Sequence, residues 1–393
     1  MVSEIIRTFD SLFMKKMKLS LLFCTTILLS LFVLQSCNDD IELTGDFKET
    51  AVVYGLLDRS DSIHMIKITR AFIGPGNSLT IAQNPDSSYF QNVNATINEV
   101  VSGNVTRTWQ LFDTIVNTKE TDGIFYAPEQ KVYAFYSKGM DNSTSPTYQD
   151  LRSDARYELE IIINEGTEDE FTVTGETEIV HSISTNTDGS TYQFKFAKNS
   201  VNTGEYVNSA ITVLTGNSAV VNTRMTIHYS EFIGTDTIPQ TIEWNLGEVE
   251  VTGSSNTFAT VGQVFFDIIN TACSAGDPAV FKRNIDGITI KVVAGSDDLY
   301  NYILVNQPSS SLAQNKPTYT NLSATGDHPV IGLFASRFTH EVYHPMTSPL
   351  SQNIRCIDRN TTMELCIGPI TGTHQFCSQQ SLDIATGQTF ACN

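Results

Sequence analysis

Residues 157–163 read Tyr-Glu-Leu-Glu-Ile-Ile-Ile, with Tyr157, Leu159, Ile161 and Ile163 on one parity and Glu158 and Glu160 on the other. Successive side chains of an extended chain point to opposite faces, so this period of two specifies a strand with one buried and one wet face. The pattern recurs along the chain. Ile66, Ile68 and Phe72 share a parity, as do Tyr192, Phe194 and Phe196, then Met225, Ile227 and Tyr229, then Ile242, Trp244 and Leu246. Ala51 to Leu57 reads as a buried strand, Val93–Val101 and Thr106–Phe112 as further strands, and Phe171-Thr-Val-Thr as a hairpin return after Glu165-Gly166. Short alternating runs between turn signals restrict the chain to packed β-sheets.

The expected fold class is therefore mainly β. At 393 residues the chain has the length of about two domains. Residues 50–181 are expected to form an N-terminal β-sandwich, immunoglobulin-like or transthyretin-like. Residues 182–346 are expected to form a second β-rich domain with two short helices, and 347–393 a cysteine-rich C-terminal segment. Val261, Val264, Phe265, Ile268 and Ile269 give the stripe of an amphipathic helix. Ser296-Asp-Asp reads as an N-cap with acids in the first turn, ahead of Leu299, Tyr302 and Ile303 on one face.

The N-terminal region has a different character. Lys15, Lys16 and Lys18 precede an apolar run from Leu19 to Leu34, which is short beside the about 20 residues of a membrane-spanning helix. The run ends in Leu-Gln-Ser-Cys, a pattern that resembles the lipobox, where the cysteine after the cut is lipidated. Residues 1–36 are thus expected to be a lipoprotein signal peptide, Cys37 the lipidation site, and 37–49 an acidic tether. Glu4 and Asp10 suit a signal poorly, which points to translation from Met14 or Met17. Removing this segment, which holds four basic and two acidic residues, takes the formal charge from −19 to −21. Such a surface repels nucleic acid and anionic lipid, so neither is an expected partner.

Five cysteines then remain besides Cys24 and Cys37. Cys356, Cys366, Cys377 and Cys392 fall close together at the C-terminus, where two disulfides in any of three connectivities are expected, leaving Cys273 as a buried thiol. No Cys-x-x-Cys pair favours a zinc cluster.

The sharpest chemical motif is His340-Glu341-Val342-Tyr343-His344. On a helix this spacing sets two histidines on one face for zinc with the glutamate as base, and Glu364 offers a distant third ligand. Pro345 opposes that reading, because a residue before proline is driven out of the helical region. In a strand, His340 and His344 would stand about 13 Å apart, too far for one ion. The expected role is a strand running into a turn, with a zinc metallopeptidase as the alternative. Asp58, Asp61, Asp297 and Asp298 form no calcium loop of the helix-loop-helix kind. No nucleophile elbow, phosphate loop or dinucleotide fingerprint occurs, and no cofactor is expected. Trp109, Trp244, Tyr126, Tyr133 and Tyr136 read as strand-core aromatics rather than a stacking platform. Three Asp-Ser/Thr-Ile triplets, at Asp61, Asp113 and Asp236, match a glycosylation signal at the frequency a Ser/Thr-rich chain gives by chance.

Several blocks in fixed order carry a resemblance. They are the lipobox, Val52-Val-Tyr-Gly-Leu, Ala155-Arg-Tyr-Glu-Leu-Glu-Ile, Asp298-Leu-Tyr-Asn-Tyr, Tyr319-Thr-Asn-Leu and Ile331-Gly-Leu-Phe-Ala-Ser-Arg. Together they resemble the Bacteroidota lipoproteins grouped as domain of unknown function 4249, over most of residues 40–340. The resemblance implies a lipid-anchored outer-membrane protein encoded beside TonB-dependent receptors, with no catalytic residues to carry over. Acidic residues after the lipidated cysteine favour the cell surface in that phylum, and Asn38-Asp39-Asp40 matches in part. The expectation is a binding or accessory subunit of such a transporter, facing the exterior. A zinc peptidase and a structural or adhesive envelope protein are the alternatives. The segment after Thr347 departs from the family pattern.

Overall fold

A computed structural model describes residues 49–71, 78–118, 121, 123, 126, 129–138, 150–189, 191–198, 203–273, 276–307, 318–346 and 354–392. The expected signal peptide, the Cys37 lipidation site and all of the tether but Glu49 lie outside the described residues. The fold is mainly β, with several sheets and a few short helices.

One eight-stranded sheet organises the molecule. Its strands are β1 (Thr50–Asp58), β2 (Ile63–Ala71), β5 (Phe112–Val116), β6 (Gln130–Tyr136), β11 (Val220–Ile233), β12 (Asp236–Glu250), β14 (Lys282–Gly295) and β16 (Val330–Pro345). They lie in the order β12-β11-β14-β16-β1-β2-β6-β5. Strand β16 joins the two ends of the chain. Its first half, Val330 to Arg337, pairs in parallel with β1, and its second half, Arg337 to Pro345, pairs antiparallel with β14. Gly332 sits where β16 comes closest to β1: its φ is +124° and an added Cβ would fall 1.8 Å from the Val53 carbonyl oxygen.

Both hydrophobic cores lie on one face of this sheet, because even-numbered residues of β16 face them throughout. Phe334 packs into the first core and Phe338 against the second. The first core is closed by a five-stranded sheet of β15 (Leu322–Ala324), β8 (Phe171–Glu178), β7 (Arg156–Ile163), β3 (Val93–Val101) and β4 (Asn104–Gln110), in that order. Here Tyr157, Leu159, Ile161 and Ile163 are buried, as their alternation requires. Between β4 and β5 the chain passes from one layer to the other at the buried Leu111.

The second core is covered by a three-stranded sheet of β13 (Ser255–Val261), β10 (Asn208–Thr215) and β9 (Ile183–Thr185), by helix α3, and by the C-terminal segment. The helices are α1 (Ser78–Ala82), α2 (Pro85–Ser88), α3 (Gly262–Ala272), α4 (Asp297–Asn306), α5 (Arg359–Ile367) and α6 (Ser381–Ala385). No helix among the described residues is long and apolar enough to cross a membrane.

Several expectations are corrected. A sandwich confined to residues 50–181 does not stand alone: it takes β15 and β16 from beyond residue 320, and its larger sheet continues into the second half. The boundary near 182 marks the change between cores, with Ile179 in one and Val180 in the other, rather than a break in the sheet. The alternating Tyr192-Phe194-Phe196 run is no sheet strand. It forms isolated bridges, with Phe194 opposite Ile357 and Ala197 opposite Tyr206. Helix α3 buries Phe265, Phe266 and Ile269 and leaves Val264 exposed, so its inward face is rotated from the expected stripe.

The C-terminal segment is tied down by polar contacts. Arg283 on β14 is fully buried, donates to Glu231 through Nε at 2.8 Å and to the His374 carbonyl at 2.8 Å. Arg355 donates to the buried carboxylate of Asp383 at 2.5 Å, and Ser378 donates to the same oxygen at 2.7 Å. Removing one partner of such a pair leaves the other charge buried and uncompensated.

Candidate functional site

The His-Glu-x-x-His motif lies on β16, not on a helix. His340 and His344 therefore point to the covered face and Glu341 to the other, where it pairs with Lys291 at 3.3 Å. The Nε2 of His340 lies 2.9 Å from Asp188. Burial opposes ionisation of Asp188, but hydrogen bonds from His340 and Thr185 hold its carboxyl below the usual range. His344 is buried against Tyr192 and Phe194, with ring centroids 6.1 and 5.4 Å away, and neither ring nitrogen has a hydrogen-bond partner. Burial lowers its pKa. Glu364, on α5, accepts the Gly204 N–H with both carboxylate oxygens at 2.9 Å, and burial raises its pKa. The alternative zinc set of His340, His344 and Glu364 is thus not assembled: the histidines are four residues apart on a strand and Glu364 is engaged elsewhere. Among the described residues, no group of three His, Cys, Asp or Glu side chains is placed to hold a metal ion.

The acidic candidates also have structural partners. Asp58, at the end of β1, is buried and accepts hydrogen bonds from the Ser60 N–H at 3.0 Å, the Ser60 hydroxyl at 2.6 Å and Thr339 at 2.9 Å. Asp61 beside it is shifted upward by burial and then by the Asp58 charge. Asp297 and Asp298 occupy the first turn of α4, and the Tyr319 hydroxyl donates to Asp298.

Among the described residues one disulfide forms, Cys377–Cys392, where two were expected. Cys356 and Cys366 are buried free thiols, as is Cys273. Cys356 packs against Met346 with sulfur atoms 3.7 Å apart, and burial pushes its thiol up to about 12. Cys366 lies on α5 beside a polar cavity of about 110 Å³ lined also by Asn284, Asp286, Cys377 and Gln380, and burial likewise raises its pKa.

Of the aromatic candidates, Trp109, Trp244 and Tyr133 serve the cores, while Tyr126 and Tyr136 belong to neither. Trp109 packs on Phe135 at 5.1 Å and Tyr157 at 6.4 Å, with the Arg107 guanidinium 4.7 Å over its ring. Trp244 packs on Phe196, Tyr136 stacks on Phe112, Tyr133 is buried, and the Tyr126 hydroxyl donates to Glu129.

What remains is a feature that single-residue motifs did not flag. At one end of the sandwich, the β1–β2 turn, the end of β6 and the loop before β7 border a shallow, open cleft of about 540 Å³. Arg59, Lys138, Asp150, Leu151, Arg152, Ser153 and Asp154 line it. Lys138 pairs with Asp150 at 2.6 Å and Arg152 with Asp154 at 2.7 Å. Arg59 forms no ion pair with any described residue.

The cleft rests on a buried polar frame. Tyr157 donates to Glu99 at 2.7 Å and accepts the Arg152 N–H at 2.6 Å. Arg107 donates to Glu99 at 2.9 Å and to the Asp150 carbonyl at 3.1 Å. Burial opposes the Glu99 charge, yet the bonds from Arg107, Thr106 and Tyr157 prevail and hold its carboxyl low. Burial, then the bond to Glu99, raises Tyr157. Loops held on a rigid sandwich are where such folds place recognition surfaces. The only sequence signal was the clustering of Arg and Asp in two polar loops.

No protein-family model matches the chain, and no curated protein matches it. Among solved structures, it is similar to the C-terminal globular domain of an oligosaccharyltransferase from Pyrococcus abyssi, at 11% identity and a TM-score of 0.21. That alignment covers 63% of this chain and 46% of the other, so this chain spans about half the length of that protein.

Proposed function

We propose that the chain is a surface-facing outer-membrane lipoprotein, anchored through lipid on Cys37, that acts as a binding or accessory subunit beside a TonB-dependent transporter. The observation that carries the binding role is the mixed-charge cleft at the sandwich end. It presents Arg59 without an ion-pair partner among the described residues, on a frame fixed by Glu99, Arg107 and Tyr157. The groups that a catalytic reading would need have partners of their own: His340 contacts Asp188 in the turn after β9, Glu341 pairs with Lys291 on the neighbouring strand, and Glu364 accepts the Gly204 N–H. Alternating cations and carboxylates suit a partner loop or ligand carrying both signs, and complementary charge sets register and encounter rate more than affinity. The anchor and the transporter come from the lipobox and the family resemblance.

Affinity purification from detergent-solubilised outer membranes tests this reading. Co-recovery of a TonB-dependent receptor is expected, and recovery of the chain alone would count against the accessory role.

A further inference from the structure

Where β16 ends, three side chains with metal-binding atoms meet in the second core. His344 is buried at the end of the strand and Met346 follows on the same face, alternating with the exposed Tyr343. Two residues on one face of a strand stand roughly 7 Å apart, which leaves room for one ion between their side chains. Met346 is fixed at both backbone groups, its N–H donating to the Asp286 carbonyl at 2.8 Å and its carbonyl accepting the Gln380 side-chain amide. Its sulfur lies 3.7 Å from that of Cys356, which is fully buried. Phe194 ties Cys356 to His344: its N–H donates to the Cys356 carbonyl at 2.8 Å, and its ring lies 5.4 Å from the imidazole. Cysteine and methionine alone are ordinary core residues. The imidazole is not, because it is 1% exposed and neither nitrogen has a hydrogen-bond partner among the described residues. A buried polar group without a partner is costly and calls for a ligand.

We infer that His344, Met346 and Cys356 form a binding site for a soft monovalent metal ion of the Cu(I) class. Thiolate and thioether sulfur select Cu(I), and imidazole suits copper as well. At metal–sulfur bonds of about 2.3 Å, two sulfurs on a trigonal ion stand about 4 Å apart, close to the 3.7 Å found here. Zinc is disfavoured, since its structural sites take four ligands and no group of three His, Cys, Asp or Glu side chains among the described residues is placed to supply them. Binding forms a metal–sulfur bond at Cys356 and releases the thiol proton to solvent. One thiolate, one thioether and one neutral imidazole around a monovalent ion sum to zero net charge, which a buried site tolerates. The polar cavity of about 110 Å³ reaches Met346 and has the exposed Gln379 in its lining, which gives an ion a path inward.

This inference is independent of the proposed transporter partnership, and its test uses no receptor. Anaerobic titration of the full-length, detergent-purified chain with Cu(I), in competition with bicinchoninate, should load one ion per chain. X-ray absorption of the wild-type complex, which needs no variant, should show two sulfur neighbours and one nitrogen. Met346→Leu and His344→Gln should each keep the wild-type circular dichroism and weaken binding by about tenfold or more, at least the loss caused by removing a group that only orients a ligand. The double variant Cys273→Ser/Cys366→Ser should bind as the wild type does. A chain that loads no Cu(I) against the competitor, or an ion with sulfur neighbours only, would overturn the inference. So would undiminished binding by Met346→Leu, or binding lost with Cys273 and Cys366, since these place the ion elsewhere.

Discussion

The Arg337 guanidinium lies 3.3 Å from the buried carboxylate of Asp58, at the residue where β16 leaves β1 and takes up β14. Asp58 also gathers Ser60 and Thr339, so one carboxylate closes the β1–β2 turn and fastens it to the strand that bridges both halves. Replacing it by asparagine keeps the size but removes the charge that these donors and Arg337 face. Asp58→Asn should lower unfolding free energy by about 2 kcal/mol, within the range for a buried acceptor of charged hydrogen bonds. Urea denaturation checks this, and an unchanged midpoint would contradict it.

A sheet shared by both cores ties their stability together. The described residues fall in a single compact unit, Lys48–Asn393. Unfolding should therefore be one transition by both tryptophan fluorescence, with Trp109 in the first half and Trp244 in the second, and circular dichroism. Phe334→Ala, which empties the core beside Ile66 and Gly55, should cost about 3–5 kcal/mol and shift both tryptophan signals equally.

The parts of this architecture that sequence alone reveals are those with local causes. Strand β7 alternates strictly, and its partner β8 returns after a tight turn, with Asn164 and Gly166 at φ of 57° and 79°. The long β11–β12 hairpin likewise follows its alternation, placing Met225 opposite Trp244 and Ile227 opposite Ile242. Strand β16 was ambiguous because Ile331, Phe334, Phe338 and Val342 fit a helical stripe as well as they fit strand segments. Its conformation is decided by partners far away in the chain, such as Val52 opposite Ile331. No local pattern reports such a pairing. Helix α5 escaped notice for the reverse reason: Thr361, Thr362, Met363, Glu364, Leu365 and Cys366 are all buried, so it has no polar face to give a period. The sandwich-end cleft is assembled from the β1–β2 turn and the β6–β7 connection, far apart in the chain, and leaves no linear motif.

His64 supplies a pH dependence. It is buried, stacked on Phe135 at 4.8 Å with Nε2 2.9 Å from the Ser137 hydroxyl, and burial lowers its pKa to about 4. The unfolded chain binds this proton near the ordinary histidine value of about 6.5. The folded state therefore keeps its full advantage above that value and loses it progressively as pH falls toward 4, by about 3 kcal/mol for this group. Chemical denaturation at neutral and mildly acid pH, compared between wild type and His64→Asn, should show a shallower loss in the variant. Equal slopes would contradict the assignment.

The thiols give a direct chemical check. Peptide mapping without reduction should recover Cys377 joined to Cys392, and Cys273, Cys356 and Cys366 unpaired. In the native protein these three should resist iodoacetamide, since buried thiols with raised pKa values hold little thiolate. They should react on unfolding. Cys377→Ser should cost about 3 kcal/mol, the loop-closure value for a short loop. A bridge between Cys356 and Cys366 would refute this arrangement.

The proposed role places recognition at the sandwich-end cleft. Quantitative affinity purification from native outer membranes, with wild type beside Arg59→Glu/Lys138→Glu, tests it most directly. Wild type should recover a TonB-dependent receptor, and the variant, equally expressed and equally folded, should lose it by tenfold or more, about 1.4 kcal/mol. Recovery of the wild-type chain without any receptor, or equal recovery by both proteins, would contradict the account.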